Sequence, residues 1–377
     1  MAGRSGRKGR SRVVRSIAAI ALAIIGPTCI AQTASAPPPA PTTAPTPIPT
    51  AAANPAPANV LASPICSRIP QTPPSYAARI ALAACVENLL WFGPFIDPQG
   101  RLASITVSES ERLRLRDGST PAWQRVAEYW KGSGLLAQMS HFPGAADCSY
   151  GGGGHLQAAS CRAFLSDTPW SAVFVSYVMA RAGLPGFNRS ASHIDFVRDA
   201  YRHPETSPYT FNDPDVAMPS GGDLLCFSRG RNTLGSEGMR DFLASGSGDG
   251  LNMHCDIVVA ANPGGDDRLY LVGGNVLQGV TMRVLPLNRG GAIWGLPRRT
   301  GIPGGCQPGQ EAACSFNRQD WVALLKLKPL PAPRGMLPLP GAQPQCCTQC
   351  PLPMPENLRR CPVLQRPVDA LPAPADR

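Results

Sequence analysis

One segment constrains the fold more than any other: D-T-P-W-S-A-V-F-V-S-Y-V-M-A-R-A-G-L-P, residues 167–185. Asp167 or Thr168 is placed to cap a helix, Pro169 suits its first position, and Gly183 with Pro185 beyond it supplies the stop. Between these marks Ala172, Val173, Phe174, Val175, Tyr177, Val178 and Met179 leave almost no polar face. A helix that is apolar nearly all round is buried. This is therefore expected to be the core helix of the domain.

The texture on either side sets the fold class. Before the core helix, YAARIALAACVENLLW (76–91) keeps Ala77, Ile80, Ala81, Ala84 and Leu89 near one face and is closed by Gly93-Pro94. That spacing predicts a helix. PAWQRVAEYW (121–130) predicts another, with Thr120 as cap and Pro121 at the first position. A glycine-rich loop at 151–154 lacks the Gly-Lys-Ser/Thr ending of a phosphate loop. After the core helix, Ser192 and Asp195 have spacing close to that of a capping box and predict a short helix over 192–201. Beyond Gly222 come short runs bounded by Gly, Asn and Pro: DLLCF (223–227), CDIVVAA (255–261), LYLV (269–272), VTMRVLPL (280–287) and AIWGL (292–296). These read as strands. Helices first and contiguous strands afterwards indicate an α+β domain with a mainly antiparallel sheet.

The flanks have a different composition. Of 42 prolines in 377 residues, 22 fall between 37 and 57 or between 329 and 374. Such stretches favour extended conformations without internal hydrogen bonds and read as spacers. Six basic residues, Arg4 to Arg15, precede the apolar run IAAIALAII and the helix breaker Gly26-Pro27. That is the outline of a signal peptide cut after Ala31. Acylation at Cys29 is the less favoured reading, because Gly-Pro-Thr before it lacks the usual aliphatic residue. The expected division is 1–31 signal peptide, 32–63 linker, 64–327 folded domain and 328–377 Pro-rich, Cys-containing tail. No later run is long enough to be a transmembrane helix. The expected compartment is periplasmic or secreted.

Removing residues 1–31 reduces the net charge from +10 to +4, 29 basic side chains against 25 acidic, which leaves no case for nucleic acid. It also leaves twelve of the 13 cysteines, an even number in a chain bound for an oxidising compartment. Convenient pairs are Cys66 with Cys85, Cys148 with Cys161, and Cys306 with Cys314. The tail group Cys346, Cys347, Cys350 and Cys361 has spacing that also suits zinc, but export favours disulfides. No cofactor is expected.

Three polar groups stand out by placement: Ser171 in the first turn of the buried helix, His254 at the start of the CDIVVAA strand, and Asn275 after the LYLV strand in G-G-N. A nucleophile at a helix N-terminus, a base on a neighbouring strand and a third residue orienting that base is the arrangement nucleophilic catalysis requires. The helix end also favours developing negative charge. Each residue has a plainer reading: Ser171 as a first-turn residue bonded to backbone, His254 as a satisfied strand-start residue, Asn275 as a turn residue. Asp256 lies two residues from His254 and so projects to the same face, where it could orient or charge the ring. Cys255 points to the opposite face and, like Cys226, is expected to be structural. Asp223 reads as a residue fixing a turn.

The series PWSAVFVSYVMARAG, PSGGDLLCF, HCDIVVA and LYLVGGN resembles the motif order of the NlpC/P60 and CHAP papain-like cell-wall amidases and endopeptidases. With serine in the first block and H-x-D-I-V-V in the third, it is more similar still to the bacterial family called domain of unknown function 2272. The resemblance implies a papain-like fold with a buried central helix on a mainly antiparallel sheet. It places Ser171 where those peptidases hold cysteine, His254 at the base, and Asn275 at a third polar position; Asp256 departs from the glycine usual in that group and is the other candidate orienter. Trp170, beside Ser171, and His193 are the expected substrate contacts. It implies an exported hydrolase acting on amide bonds of peptidoglycan stem peptides. The alternative is a catalytically inactive module of the same fold that binds wall peptide or a protein partner, since a serine hydroxyl, unlike a thiolate, depends wholly on an oriented base.

Overall fold

The computed structural model describes residues 64–331, apart from 71–72, 110–111, 150–153, 231, 247, 294 and 300–305, together with the backbone of 346–347 and 359–360. The signal peptide, the Pro-rich linker, Cys29, Gly151 to Gly153 and most of the tail, with Cys350 and Cys361, lie outside the described residues. Within them the chain is α+β, with six helices and a mixed eight-stranded sheet.

In chain order the elements are α1 (Tyr76–Leu90), β1 (Phe95–Ile96), β2 (Leu102–Ala103), α2 (Ala122–Gly132), α3 (His155–Asp167), α4 (Ser171–Ala182), α5 (His193–Arg202), β3 (Tyr209–Asn212), β4 (Leu224–Ser228), α6 (Gly235–Ala244), β5 (Met253–Ala261), β6 (Arg268–Val276), β7 (Gly279–Pro286) and β8 (Asp320–Leu327). The sheet order is β2-β1-β7-β6-β5-β4-β8-β3. All neighbours are antiparallel except β1 and β7, which makes the sheet mixed rather than purely antiparallel.

Ten of the twelve residues of α4 are buried, in line with its all-round apolar sequence. Gly183 ends it at φ 70°, and the Leu184 N–H reaches back to the Met179 carbonyl at 3.0 Å. Its start differs from expectation. Asp167 closes α3, a helix the sequence hid behind the glycine loop, and Trp170 occupies the cap of α4 without a side-chain bond. Helix α4 therefore begins at Ser171 itself. Helix α2 likewise starts one residue late, with Pro121 as its cap, because the Thr120 hydroxyl is bound to Asp117 at 2.5 Å.

Helices α1 and α4 lie against β5 and β6. The core between them and the sheet includes Ile80, Phe174, Val178, Ile257 and Val272. Alternation sends Leu225, Phe227, Val258, Leu271, Leu285 and Leu324 to the other face, where they form a second cluster with Trp321. The expected strand at AIWGL does not form. Ile293 and Leu296 instead fold over this second cluster from an irregular segment, which buries them without ladder bonds.

Four disulfides staple the described residues: Cys66–Cys85, Cys148–Cys161, Cys226–Cys255 and Cys306–Cys314. Cys226 and Cys255 are direct cross-strand partners of β4 and β5. No helix among the described residues is long and apolar enough to cross a membrane.

Candidate active site

The N-terminus of α4 presents Ser171 with 8% of its surface exposed. The first-turn N–H groups of a helix have no intrahelical acceptors, so the serine oxygen sits in a field that favours negative charge. Its partner is His193, whose Nε2 lies 2.8 Å from Ser171 Oγ. Local bonds put His193 there. The Ser176 hydroxyl, one turn beyond Ser171, donates to the Ser190 carbonyl at 2.9 Å and accepts from the Ser190 N–H at 3.1 Å. The Ser190 hydroxyl donates to Asp195 at 2.6 Å and accepts from the Ser192 N–H. The loop after α4 is thus tied back onto α4, and α5 begins with its first side chain over Ser171. The expected capping box is replaced by this bond, because Ser190 rather than Ser192 holds Asp195.

His254 makes no hydrogen bond to Ser171. Its Nε2 bonds Asp256 Oδ1 at 2.7 Å, and both side chains are fully buried. This is the shared face that strand alternation predicts. Asp256 Oδ2 in turn accepts from Arg283 Nε at 2.9 Å. The Arg283 guanidinium continues to the Phe316 carbonyl at 2.6 Å and Asn317 Oδ1 at 3.0 Å, and it lies over the rings of Phe227 and Trp321. The His193 and His254 rings meet with centroids 4.9 Å apart. A continuous line of groups therefore runs Ser171, His193, His254, Asp256, Arg283.

The electrostatics follow from burial. Desolvation, aided by the neighbouring His254 and Arg229, pushes the His193 pKa well below the ordinary imidazole value. Desolvation also lowers His254, against the pull of Asp256. Burial alone would raise Asp256, but His254 and Arg283 outweigh it and hold the carboxyl well below its ordinary range. The line thus holds an ionised carboxylate and two neutral imidazoles at neutral pH.

The G-G-N motif has a steric reading. A Cβ at Gly273 would come 1.9 Å from Asp256 Oδ1 and 2.9 Å from His254 Nε2, and one at Gly274 would strike Phe174 of α4 at 2.3 Å. Both glycines let β6 lie against the histidine–aspartate pair on one side and the core helix on the other. Asn275 follows at φ 54° inside β6, where the register with β7 shifts, and makes no hydrogen bond to His254. Of the two expected orienters, Asn275 and Asp256, it is Asp256 that bonds the His254 ring.

Trp170 is also corrected. It is fully buried, stacked on Trp91 and packed against Tyr129, and its indole N–H donates to the buried Glu109. It supports the start of α4 from beneath and offers no surface to a substrate. Asp223 ties a turn to the end of β8, accepting from the N–H groups of Ser220 and Leu327 at 2.7 and 2.8 Å and from Lys326 Nζ at 2.5 Å. Cys226 and Cys255 are consumed in their disulfide. Two surface clefts, both lined by Phe187 and Arg189, lie toward the other end of α4. No group of three or more potential metal ligands occurs among the described residues.

Sequence reasoning missed Arg283 and put His193 on the substrate side. The signal for Arg283 was present, since a lone arginine inside the apolar run VTMRVLPL calls for a buried counter-ion. The Ser171–His193 contact had no local signal, because it depends on how α5 docks.

No curated protein and no solved structure matches the chain. One family model does, over residues 117–327, a span that covers more than half of the chain and includes every residue of the line from Ser171 to Arg283. The chain belongs to that family, described as an uncharacterized protein conserved in bacteria, domain of unknown function 2272.

Proposed function

We propose that this domain is an exported hydrolase of papain-like architecture that cleaves amide bonds in peptidoglycan stem peptides, with Ser171 as nucleophile and His193 as its base. The observation that carries the reading is the 2.8 Å Ser171–His193 hydrogen bond at the N-terminus of a buried helix. The order of the four sequence motifs supports the substrate class, and the four disulfides fit an oxidising compartment.

In this mechanism His193 Nε2 takes the Ser171 proton as Oγ attacks the amide carbon. The first-turn N–H groups of α4 face the oxyanion that develops. His193 then returns the proton to the departing amine, leaving an ester on Ser171. A water molecule, deprotonated by His193, attacks that ester; the peptide carboxylate leaves and Ser171 regains its proton. A neutral His193 is the form that can accept a proton, which is what its lowered pKa provides.

Purified protein incubated with isolated sacculi should release new muropeptide masses, and Ser171→Ala should stop the release. Unchanged release by that variant rules out the assignment. One observation favours a second reading, a wall-binding module without cleavage: Ser171 and His193 are only 8% and 4% exposed. Sacculus binding by the wild-type protein with no change in any muropeptide mass would select it.

A further inference from the structure

Two atoms in the site lack partners. Nδ1 of His193 and Nδ1 of His254 are both buried and hydrogen-bonded to nothing among the described residues. A buried ring nitrogen without a partner carries a desolvation penalty that nothing offsets. Two such atoms on rings whose centroids are 4.9 Å apart make a single question.

Their chemistry is fixed from both ends. Arg283 can only donate, so the Asp256 oxygen facing it must accept. The other Asp256 oxygen, being part of the same ionised carboxylate, also only accepts, so His254 must carry its proton on Nε2. A neutral His254 therefore presents a bare lone pair at Nδ1. The bare His254 Nδ1 calls for a donor, so a neutral His193 that pairs with it carries its own proton on Nδ1 and leaves Nε2 bare toward Ser171 Oγ. One orphan is thus an acceptor and the other a donor.

We infer that the two Nδ1 atoms close into one direct N–H···N hydrogen bond, which the rings do not make as they stand here, so that Ser171, His193, His254 and Asp256 form one proton relay in which Asp256 sets the tautomer of the distant His193. His254 is then a positioning residue: it makes no hydrogen bond to Ser171 or substrate, and it acts by holding the Nδ1 proton of His193 in place. The catalytic consequence rests on the hydrolase reading above; the tautomer pattern does not.

Asp256→Asn separates the two. Because Arg283 can only donate, the amide oxygen of the replacement must face Arg283 and its NH₂ must face His254. His254 Nε2 then becomes an acceptor, its proton moves to Nδ1, and His193 must present an acceptor there by moving its own proton to Nε2. That tautomer cannot receive the Ser171 proton. Ring ¹⁵N NMR of the intact protein near pH 7.5 reads each tautomer. The expected wild-type result is Nδ1–H for His193 and Nε2–H for His254, with both inverted in Asp256→Asn. Reaction of Ser171 with a fluorophosphonate should then slow by on the order of 10⁴, the loss an aspartate-to-asparagine change gives by the same tautomer logic in a serine protease triad.

A wild-type His193 protonated on Nε2 overturns the relay, and that spectrum is decisive even if the variant fails to fold. So does a variant in which His254 inverts and His193 stays. Coupled inversion without any fluorophosphonate reaction at wild-type Ser171 upholds the relay and sinks the hydrolase reading instead.

Discussion

Two buried charged networks flank α4, and they are built to different standards. The first joins α1, α2 and α4. Glu87 accepts from Arg125 Nε at 2.9 Å and the Tyr129 hydroxyl at 2.8 Å through one oxygen, and from Arg125 Nη2 and the Tyr177 hydroxyl through the other. Trp91 donates to Tyr129 at 2.9 Å. Nothing in it is left over. Desolvation opposes the charge on Arg125, yet Glu87 raises its pKa further, and burial drives Tyr177 up to about 12. Such a network holds three helices in register, and Arg125, Tyr129 and Tyr177 keep their protons near neutral pH.

The second network runs from Ser171 to Arg283 and leaves two ring nitrogens unsatisfied. A stability-driven core would not keep them, since apolar rings of similar size would pack there without the desolvation penalty. The contrast is the one the proposed hydrolase calls for: one network holds the fold, and the other is held by it with groups free to bond further.

The largest effect should come from His193→Phe. Loss of a general base costs about 10²–10⁴ in rate, so the fluorophosphonate reaction at Ser171 should fall by that factor. The midpoint of thermal unfolding should fall only slightly: the variant takes one imidazole out of the core but leaves the Ser171 hydroxyl and His254 Nδ1 without their partner. A large drop in midpoint would erase the contrast. Glu87→Ala is the reciprocal test. It strands Arg125 in the interior and should cost about 3–5 kcal/mol in urea unfolding, while the surviving folded protein reacts at Ser171 as before. Gly273→Ala joins the two effects: the new methyl collides with Asp256 and His254, so stability should drop by about 1–3 kcal/mol and Ser171 reactivity with it.

The smallest effect is in pH. Folded His193 and His254 have pKa values below the ordinary 6.5, so the unfolded chain binds protons that the folded one refuses. Their contribution to stability is whole above pH 6.5 and is lost as pH falls below it, by at most about 1.4 kcal/mol per pH unit for each ring. The groups acting on His193 besides its own burial are His254, Arg229 and Asp256. Urea unfolding from pH 7.5 to 5.5 should show this slope in the wild type and a shallower one in His193→Phe. The Glu87→Ala variant should keep the wild-type slope.

Much of the first layer was legible in the sequence because it is periodic. Helix α4 declared itself by its apolar surface and its stop signals, and β4 to β7 by short apolar runs between breakers. Elements without a period were missed: β1 is two residues long and pairs in parallel with β7, and α3 follows a glycine loop that masks its start. In the site, His254 and Asp256 are two apart on one strand, so alternation alone put them together. Ser171 and His193 are 22 residues apart on different helices. Their contact depends on the Ser176–Ser190–Asp195 bonds that fold the intervening loop, and serines in a loop carry no such message. The two glycines of G-G-N gave no hint that they provide clearance for Asp256 and Phe174, because that role depends on which strand and helix pack against them.

The central claim is that Ser171 is a nucleophile activated by His193. Intact-protein mass spectrometry after fluorophosphonate treatment at pH 7.5 tests it directly. The account predicts one adduct per wild-type chain, mapped by peptide fragmentation to Ser171, and a rate at least a hundredfold lower in His193→Phe. No adduct at Ser171 in the wild-type protein, or an equal rate in the variant, would contradict it.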